Sequence, residues 1–199
     1  MKKYLYTALI VLFAAVFLIS GAFLLDYFIK SRQQKNQYDE LANIVQQGQQ
    51  NQQQAPQKPN NDNNTSDNQQ EVVPAGPTYM EVTNPINGKK MEILSEYAPI
   101  FEKNSDTVGW LRIEDTKVDY PVMQTPEWVN FYLTRDFYKE ESKHGAVYAN
   151  ELAELDTPSD NVTLYGHSMA DGSMFASLHS YKSKSFYDKH SILNFDTLS

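Results

Sequence analysis

An uninterrupted apolar run near the N-terminus limits this chain more than any other feature. Between Leu5 and Leu25 the residues that are not strongly apolar are only Tyr6, Thr7, Ser20 and Gly21. A helix built from this run is long enough to cross a hydrocarbon core of about 30 Å. The sequence therefore predicts one transmembrane helix inside a membrane anchor over residues 1–30.

The apolar run is longer than the core of a cleavable signal peptide. The small residues at 20–22 would suit a cleavage site, but the run continues past them through Phe23-Leu24-Leu25. We therefore expect an uncleaved signal anchor. Basic residues flank both ends of the run, so charge leaves its orientation open. A short N-terminal tail before a large domain is compatible with that domain lying outside the cytoplasm.

Residues 31–77 are predicted to link the anchor to a folded domain over 78–199. A short amphipathic helix over 36–47 is indicated by the helical spacing of Tyr38, Leu41, Ile44 and Val45. From about Gly48 to Gln70 the chain is almost entirely polar, and such a composition buries too little surface to offset the entropy of ordering. We interpret this tract as a spacer, with an inert disordered joint as the alternative.

Charge and residue usage exclude several kinds of site. Asp and Glu outnumber Lys and Arg by 25 to 17, and the net charge of −8 argues against a nucleic-acid partner. No cysteine occurs among the 199 residues, which excludes disulfides, thiolate metal ligands and a cysteine nucleophile within this sequence. The four histidines lack metal-binding spacing, so we expect no metal and no other cofactor.

The remaining pattern predicts a mixture of helices and short strands. An apolar stripe over 91–101 predicts a helix that Pro99 breaks late in the run. Strands over 108–113 and 118–123 are predicted to pair as a hairpin. The aromatic-rich segment 128–137 is predicted to pack on this hairpin, with a groove lining as the alternative. The later elements are predicted as a strand at 145–149, a helix over 175–187 and a strand at 191–196.

The most chemically informative stretch is 161–175. It begins with β-forming residues in near alternation and Gly166 ends the run, so His167 is predicted to lie at the end of a strand. A turn at Asp171-Gly172 follows, and Ser173 is predicted to cap a helix. A histidine here can act as an acid or a base, because its unperturbed pKa of about 6.5 is close to neutrality. On local grounds, an ordinary loop histidine is the alternative.

Several motifs in this order resemble those of a known family. The most specific is Tyr165-Gly166-His167 followed by Asp171-Gly172-Ser173-Met174-Phe175. Weaker support comes from Gly109-Trp110-Leu111 with Ile113, Asp119-Tyr120-Pro121-Val122-Met123-Gln124, Tyr132-Leu133 and Gly145. From about Met91 to Ser199 the sequence resembles the sortases, and most closely the class B sortases.

The resemblance implies a membrane-anchored cysteine transpeptidase of Gram-positive bacteria. The implied fold is mainly β, a sortase-like β-barrel with an N-terminal helix and a helix after the histidine loop, preceded by the transmembrane helix. The implied reaction cleaves the C-terminal sorting signal of a surface protein through a thioester and passes the acyl group to an amine of a cell-wall precursor. The implied location is the cell membrane, single-pass, with the catalytic domain on the extracytoplasmic side.

His167 matches the catalytic histidine of the family, which works with a cysteine and an arginine on two later strands. No cysteine is present, and Arg112 and Arg135 lie in the wrong segments to be the catalytic arginine. We therefore expect that 78–199 is the N-terminal part of a catalytic domain, that the barrel is incomplete here, and that the missing partners lie beyond Ser199. The 199-residue chain alone is expected to be inactive.

The resemblance also implies two substrate contacts. Tyr165 and Leu133 match positions near the bound sorting signal in class B enzymes, with ordinary barrel packing as the alternative. The remaining histidines match no catalytic position and are predicted to be surface or helix-end residues: His144, His179 and His190. A different class of function stays open, namely a non-catalytic, membrane-tethered extracytoplasmic module that uses the same scaffold to hold a peptide or a wall component.

Overall fold

The computed structural model describes residues 2–54, 76–84, 88–155 and 161–198. Most of the polar tract predicted as a spacer, from residue 55 on, lies outside the described residues. The chain divides into two compact units, Met1–Gln37 and Tyr38–Ser199.

The first unit consists of one part of a long helix, α1 (Lys2–Gln54). Its apolar side chains from Leu5 to Ile29 are largely exposed, as expected for a surface that faces lipid rather than protein. α1 is long and apolar enough to cross a membrane by length and composition. It continues beyond the predicted anchor because no glycine or proline occurs between Gly21 and Gly48 to end it.

The second unit begins with the last turns of α1. Tyr38, Leu41 and Val45 are buried here, at spacings of three and four residues, which places them on one face of the helix. The Tyr38 ring lies edge-on to Tyr120, with 5.0 Å between ring centroids. The predicted linker is thus helical as far as residue 54, and part of it belongs to the core of this unit.

A five-stranded sheet that curls into a half-barrel forms the centre of the second unit. The strands are β3 (Thr107–Arg112), β4 (Asp119–Met123), β5 (Val147–Ala149), β6 (Leu164–Tyr165) and β7 (Asn194–Thr197), after two earlier strands. The spatial order is β6-β5-β4-β3-β7, and only the β4–β5 pair is parallel. The predicted β3–β4 hairpin and the predicted strands around 147 and 194 are confirmed.

The predicted helix over 91–101 is wrong in its first half. Residues Lys90–Leu94 form strand β2, which pairs antiparallel with β1 (Tyr79–Thr83), and the short helix α2 (Ala98–Lys103) follows a turn. The backbone hydrogen bonds of β2 are made with β1, which precedes residues 91–101. The apolar periodicity within 91–101 does not reveal this partner. Pro99 lies in the first turn of α2, where its missing N–H costs nothing, rather than late in a helix.

The remaining helical segments are short. A 3₁₀ turn covers Phe131–Leu133, a longer 3₁₀ segment covers Phe175–Lys182, and α3 (Lys184–Lys189) follows it. The predicted helix over 175–187 therefore has a mixed geometry. Within the aromatic segment, Tyr132 and Phe137 are fully buried, as the packing interpretation predicts, whereas Trp128 is 63% exposed. Because α1 is longer than the seven described strands combined, helix content exceeds strand content.

Truncating the buried side chain of Leu41 tests whether the last part of α1 belongs to the core of the second unit. Leu41 is fully buried, so Leu41→Ala is expected to lower the free energy of unfolding by about 2–5 kcal/mol. The measurement is denaturant unfolding of the full chain in detergent, with tryptophan fluorescence as the signal. Leu152→Ala, at an 83% exposed leucine, is the matched control and should change little. Equal effects of the two substitutions would contradict a core role for this part of α1.

Candidate active site

His167 lies two residues after the end of β6, as predicted. Gly166 precedes it at a place where a Cβ would lie 2.8 Å from the Phe175 ring, so a larger residue would displace that ring. The Phe175 amide donates to the His167 carbonyl at 2.9 Å, and Ser168 forms a bridge with Met174. The loop between them is therefore closed at its base, and His167 stands at that base.

The interior of this loop is held by Asp171. Its Oδ1 accepts hydrogen bonds from both the amide and the hydroxyl of Ser173, while the Gly172 amide donates to the Met169 carbonyl. Gly172 has a φ of 78°, which confirms the predicted turn at Asp171-Gly172. The predicted helix cap at Ser173 is wrong, because its hydroxyl donates to Asp171 and Met174 takes the cap position.

Met174 fixes the far end of the loop to the sheet. Its side chain is buried, and its amide donates to the Tyr120 hydroxyl on β4 at 3.0 Å. Burial raises the pKa of Tyr120 to about 12, because desolvation disfavours the phenolate. Tyr120 therefore stays neutral, and its oxygen remains an acceptor for the loop at all ordinary pH values.

The imidazole of His167 is oriented by one hydrogen bond. Its Nε2 lies 2.7 Å from the carbonyl oxygen of Leu133, and His167 is half-buried. A carbonyl oxygen can only accept, so Nε2 must carry the proton. Among the described residues the structure gives Nδ1 no hydrogen-bond partner. Nδ1 is therefore the ring nitrogen available to take up and release a proton.

The Leu133 carbonyl is placed by its neighbours. Tyr132 is fully buried, accepts from the Asn104 amide and donates to Asp106 Oδ2, both at 2.8 Å. Desolvation by burial, together with the bond to Asp106, raises the pKa of Tyr132 far above its ordinary value, against the lowering effect of the bond from Asn104. Gly145, with a φ of 62°, lies so close that a Cβ would be 2.7 Å from the Leu133 oxygen. These contacts leave the carbonyl little freedom to turn away from His167.

The two predicted substrate contacts are both partly exposed. Leu133 is 38% exposed and Tyr165 is 40% exposed. Tyr165 stacks on Tyr148 with 5.3 Å between centroids, and the Tyr148 hydroxyl donates to Asn130, which caps the 3₁₀ turn containing Leu133. The structure thus connects the two residues through Tyr148 and Asn130. Their contact with a sorting signal stays a prediction.

The other histidines differ in their surroundings. His144 is buried beside Asp171, so its prediction as a surface or helix-end residue is wrong. His179 is exposed and lies 2.9 Å from the Ser168 hydroxyl, and half-buried His190 follows α3. Sequence reasoning missed the His144 contact with Asp171 because 27 residues separate them. The only local signal is that His144 directly precedes Gly145.

The two excluded arginines are engaged elsewhere. Arg112 pairs with Asp119 at 2.9 Å within the β3–β4 hairpin. Arg135 donates to the Lys139 carbonyl and lies over the Phe131 ring, 5.1 Å from its centroid. Neither has a recorded contact with His167 among the described residues.

Comparison with known proteins gives a consistent set of relatives. No family model matches the chain. It is 28% identical to Sortase B of Staphylococcus aureus over 196 residues, which are 98% of this chain and 64% of that protein. It is 33% identical to Sortase B of Listeria monocytogenes over 115 residues, 58% of this chain and 45% of that protein. The chain thus spans less than two thirds of the length of these curated relatives.

Solved structures agree with these relatives. The Staphylococcus aureus sortase B–substrate complex matches with a TM-score of 0.61 and 25% identity, covering 85% of this chain and 61% of that one. Sortase B from B. anthracis in complex with AAEK1 matches with a TM-score of 0.51 and 28% identity, covering 60% and 54%. The half-barrel therefore has the fold of these sortase structures. Both relatives and both structures are sortase B proteins, so the chain is similar to class B sortases in sequence and in fold.

The tautomer of His167 can be measured directly. With Nε2–H donating to Leu133, the neutral ring is expected to carry its proton on Nε2 and to leave Nδ1 unprotonated. The measurement is ¹H–¹⁵N correlation of the imidazole nitrogens above the titration range of the ring, with His167→Gln used to assign the signals. A neutral His167 protonated mainly on Nδ1 would contradict the observed hydrogen bond.

Gly145→Ala tests the support of the Leu133 carbonyl. Alanine at positive φ costs about 1–2 kcal/mol, and here its Cβ would also collide with the Tyr132 and Leu133 oxygens. We expect a loss of stability together with a changed His167 Nε2–H resonance. Gly88→Ala is the matched control, because Gly88 has a φ of 69° but open space around it. If the His167 signal is unchanged in Gly145→Ala as well as in Gly88→Ala, Gly145 does not support the Leu133 carbonyl as inferred here.

Proposed function

We propose that this chain supplies the histidine of a sortase-type transpeptidase. The observation that carries the proposal is the geometry of His167, whose Nε2 is held by Leu133 while Nδ1 has no partner among the described residues. A ring oriented in this way can transfer a proton through Nδ1 without first breaking the bond that positions it. The sortase fold around it supports the assignment.

The proposed reaction uses this histidine twice. A thiolate attacks the carbonyl carbon of the scissile amide, and the imidazolium of His167 gives its Nδ1 proton to the leaving amine as the C–N bond breaks. The resulting thioester is attacked by an acceptor amine, whose proton passes to the now neutral ring as the C–S bond breaks and the sulfur leaves as the thiolate, which restores the starting pair. A guanidinium stabilises the oxyanion in both steps.

The thiolate and the guanidinium must come from polypeptide other than these 199 residues. No cysteine is present, and both arginines near the sheet are engaged elsewhere. The position of β6 supports this part of the proposal: within the described residues it pairs only with β5, so its other edge can accept a further strand beside His167. We therefore propose that the chain by itself is inactive.

We propose that the acyl donors are surface proteins with a C-terminal sorting signal and that the acceptor is a cell-wall amine. A relative has been solved as a substrate complex, and exposed Leu133 and Tyr165 near His167 offer an apolar surface for an extended peptide. We propose that α1 anchors the protein in the cell membrane by a single pass, with the sheet unit outside the cytoplasm. The apolar, exposed N-terminal part of α1 supports this location.

A chimaera tests the proposal. The chain is joined to the C-terminal part of Staphylococcus aureus sortase B. The chimaera is given a peptide that carries that relative's sorting signal, with triglycine as the acceptor amine. Mass spectrometry then measures how much peptide has been transferred to triglycine. We expect transfer by the chimaera and none by the 199-residue chain. Because general acid–base catalysis contributes about 10²–10⁴-fold, His167→Ala should reduce the chimaera's rate by that factor.

His190→Ala is the control within the same chimaera, because His190 follows α3 and its Nδ1 contacts the Glu114 carbonyl. Full activity in His190→Ala and loss in His167→Ala support the assignment. A folded chimaera that binds the peptide but transfers nothing would favour the non-catalytic binding module. Transfer by the 199-residue chain alone would contradict the proposed need for an external thiolate.

A further inference from the structure

A buried histidine–aspartate contact lies beside the candidate catalytic loop. His144 Nε2 is 3.1 Å from Asp171 Oδ2, and the two side chains are only 4% and 21% exposed. Polar groups removed from water in this way cost free energy unless they are hydrogen-bonded to each other. The contact connects two segments that are 27 residues apart. One segment belongs to the loop that carries His167, and the other supports the carbonyl to which His167 is hydrogen-bonded.

Asp171 links this contact to the loop that carries His167. While Oδ2 faces His144, Oδ1 accepts from the amide and the hydroxyl of Ser173. The Lys117 ammonium donates to the Asp171 backbone carbonyl at 3.1 Å. Asp171 is thus fixed from several directions, and a displacement of its carboxylate would carry the loop between Ser168 and Met174 with it.

His144 links the same contact to the acceptor of the His167 hydrogen bond. The next residue is Gly145, whose α-carbon lies against the Tyr132 and Leu133 carbonyls and whose own carbonyl accepts from the Tyr38 hydroxyl. Ala146 then donates to the Tyr132 carbonyl at 2.9 Å. The backbone at 144–146 is therefore tied to the turn that presents the Leu133 oxygen.

We propose that His144 is a positioning residue for His167. Its imidazole, bonded to Asp171, holds the donor loop of His167 against the segment that supports the Leu133 acceptor, and so sets the distance between His167 Nε2 and the Leu133 oxygen. This inference uses the proposed function only in that His167 is the acid–base group; the hydrogen bond itself exists whether or not the protein transfers acyl groups.

The experiment observes the His167 ring in the full chain rather than activity. Imidazole ¹H–¹⁵N spectra are recorded in detergent micelles for the wild type, His144→Leu and His144→Gln. Leucine fills the site without a hydrogen bond, whereas the glutamine amide can still donate to Asp171. We expect exchange of the His167 Nε2 proton with water to become about tenfold faster in His144→Leu, because the bond to Leu133 is weakened. His144→Gln should restore protection.

Two controls separate positioning from general stability. Ile93→Ala removes a buried side chain in β2, and it should lower the unfolding temperature without changing the His167 signal. His179→Leu removes an exposed histidine and should leave the Nε2 proton as it is in the wild type. An unchanged His167 signal in His144→Leu would overturn the proposal. The same change in Ile93→Ala, or no rescue by His144→Gln, would overturn it as well.

Failure of this test and failure of the proposed function are distinguishable. An inactive chimaera that retains a protected Nε2 proton would contradict transpeptidation and leave the positioning role intact. Conversely, an active chimaera in which substitution of His144 leaves the His167 resonance unchanged would contradict the positioning role alone. In that chimaera a positioning effect should lower kcat more than it raises KM, because His167 acts on the bond being broken rather than on the bound peptide.

Discussion

The backbone at Gly145 is the constraint on which the rest of the site depends. Its positive φ and its lack of a side chain allow three parts of the fold to meet: the Tyr38 hydroxyl from α1, the Tyr132-Leu133 turn and the start of β5. Any Cβ here would push against two carbonyl oxygens at once. Because one of these oxygens accepts from His167, the steric requirement at Gly145 lies next to the hydrogen bond that orients the imidazole.

Around this point the structure uses buried polar contacts where an apolar core would be simpler. Tyr132 bonds to Asn104 and Asp106, and His144 bonds to Asp171. Such networks add modest net stability, because each group gives up water to form its bond. They are directional, however, and a small shift of a carbonyl weakens a hydrogen bond such as the 2.7 Å contact between His167 and Leu133 far more than it disturbs apolar packing.

Much of the sheet could be predicted from local patterns. The β3–β4 hairpin follows from two β-forming runs around a polar turn, and the position of His167 follows from a strand that stops at Gly166. The helix predicted over 91–101 failed because β2 pairs with β1, a preceding strand that lies outside the apolar stripe on which the prediction was based. The prediction of a helix cap at Ser173 failed for a related reason, because the serine hydroxyl donates to the nearby carboxylate of Asp171. Local propensity yields when a specific partner is available.

By itself, the sequence determined the membrane-compatible helix, the absence of a thiol nucleophile, the hairpin and the histidine at a strand end, because each depends on composition or on neighbours within a few residues. Only the tertiary structure decided which nitrogen of His167 carries the proton, that His144 is buried, and that α1 enters the core through Leu41. These properties depend on contacts between residues tens of positions apart. Such contacts form when the whole sheet unit folds, so no local pattern in the chain encodes them.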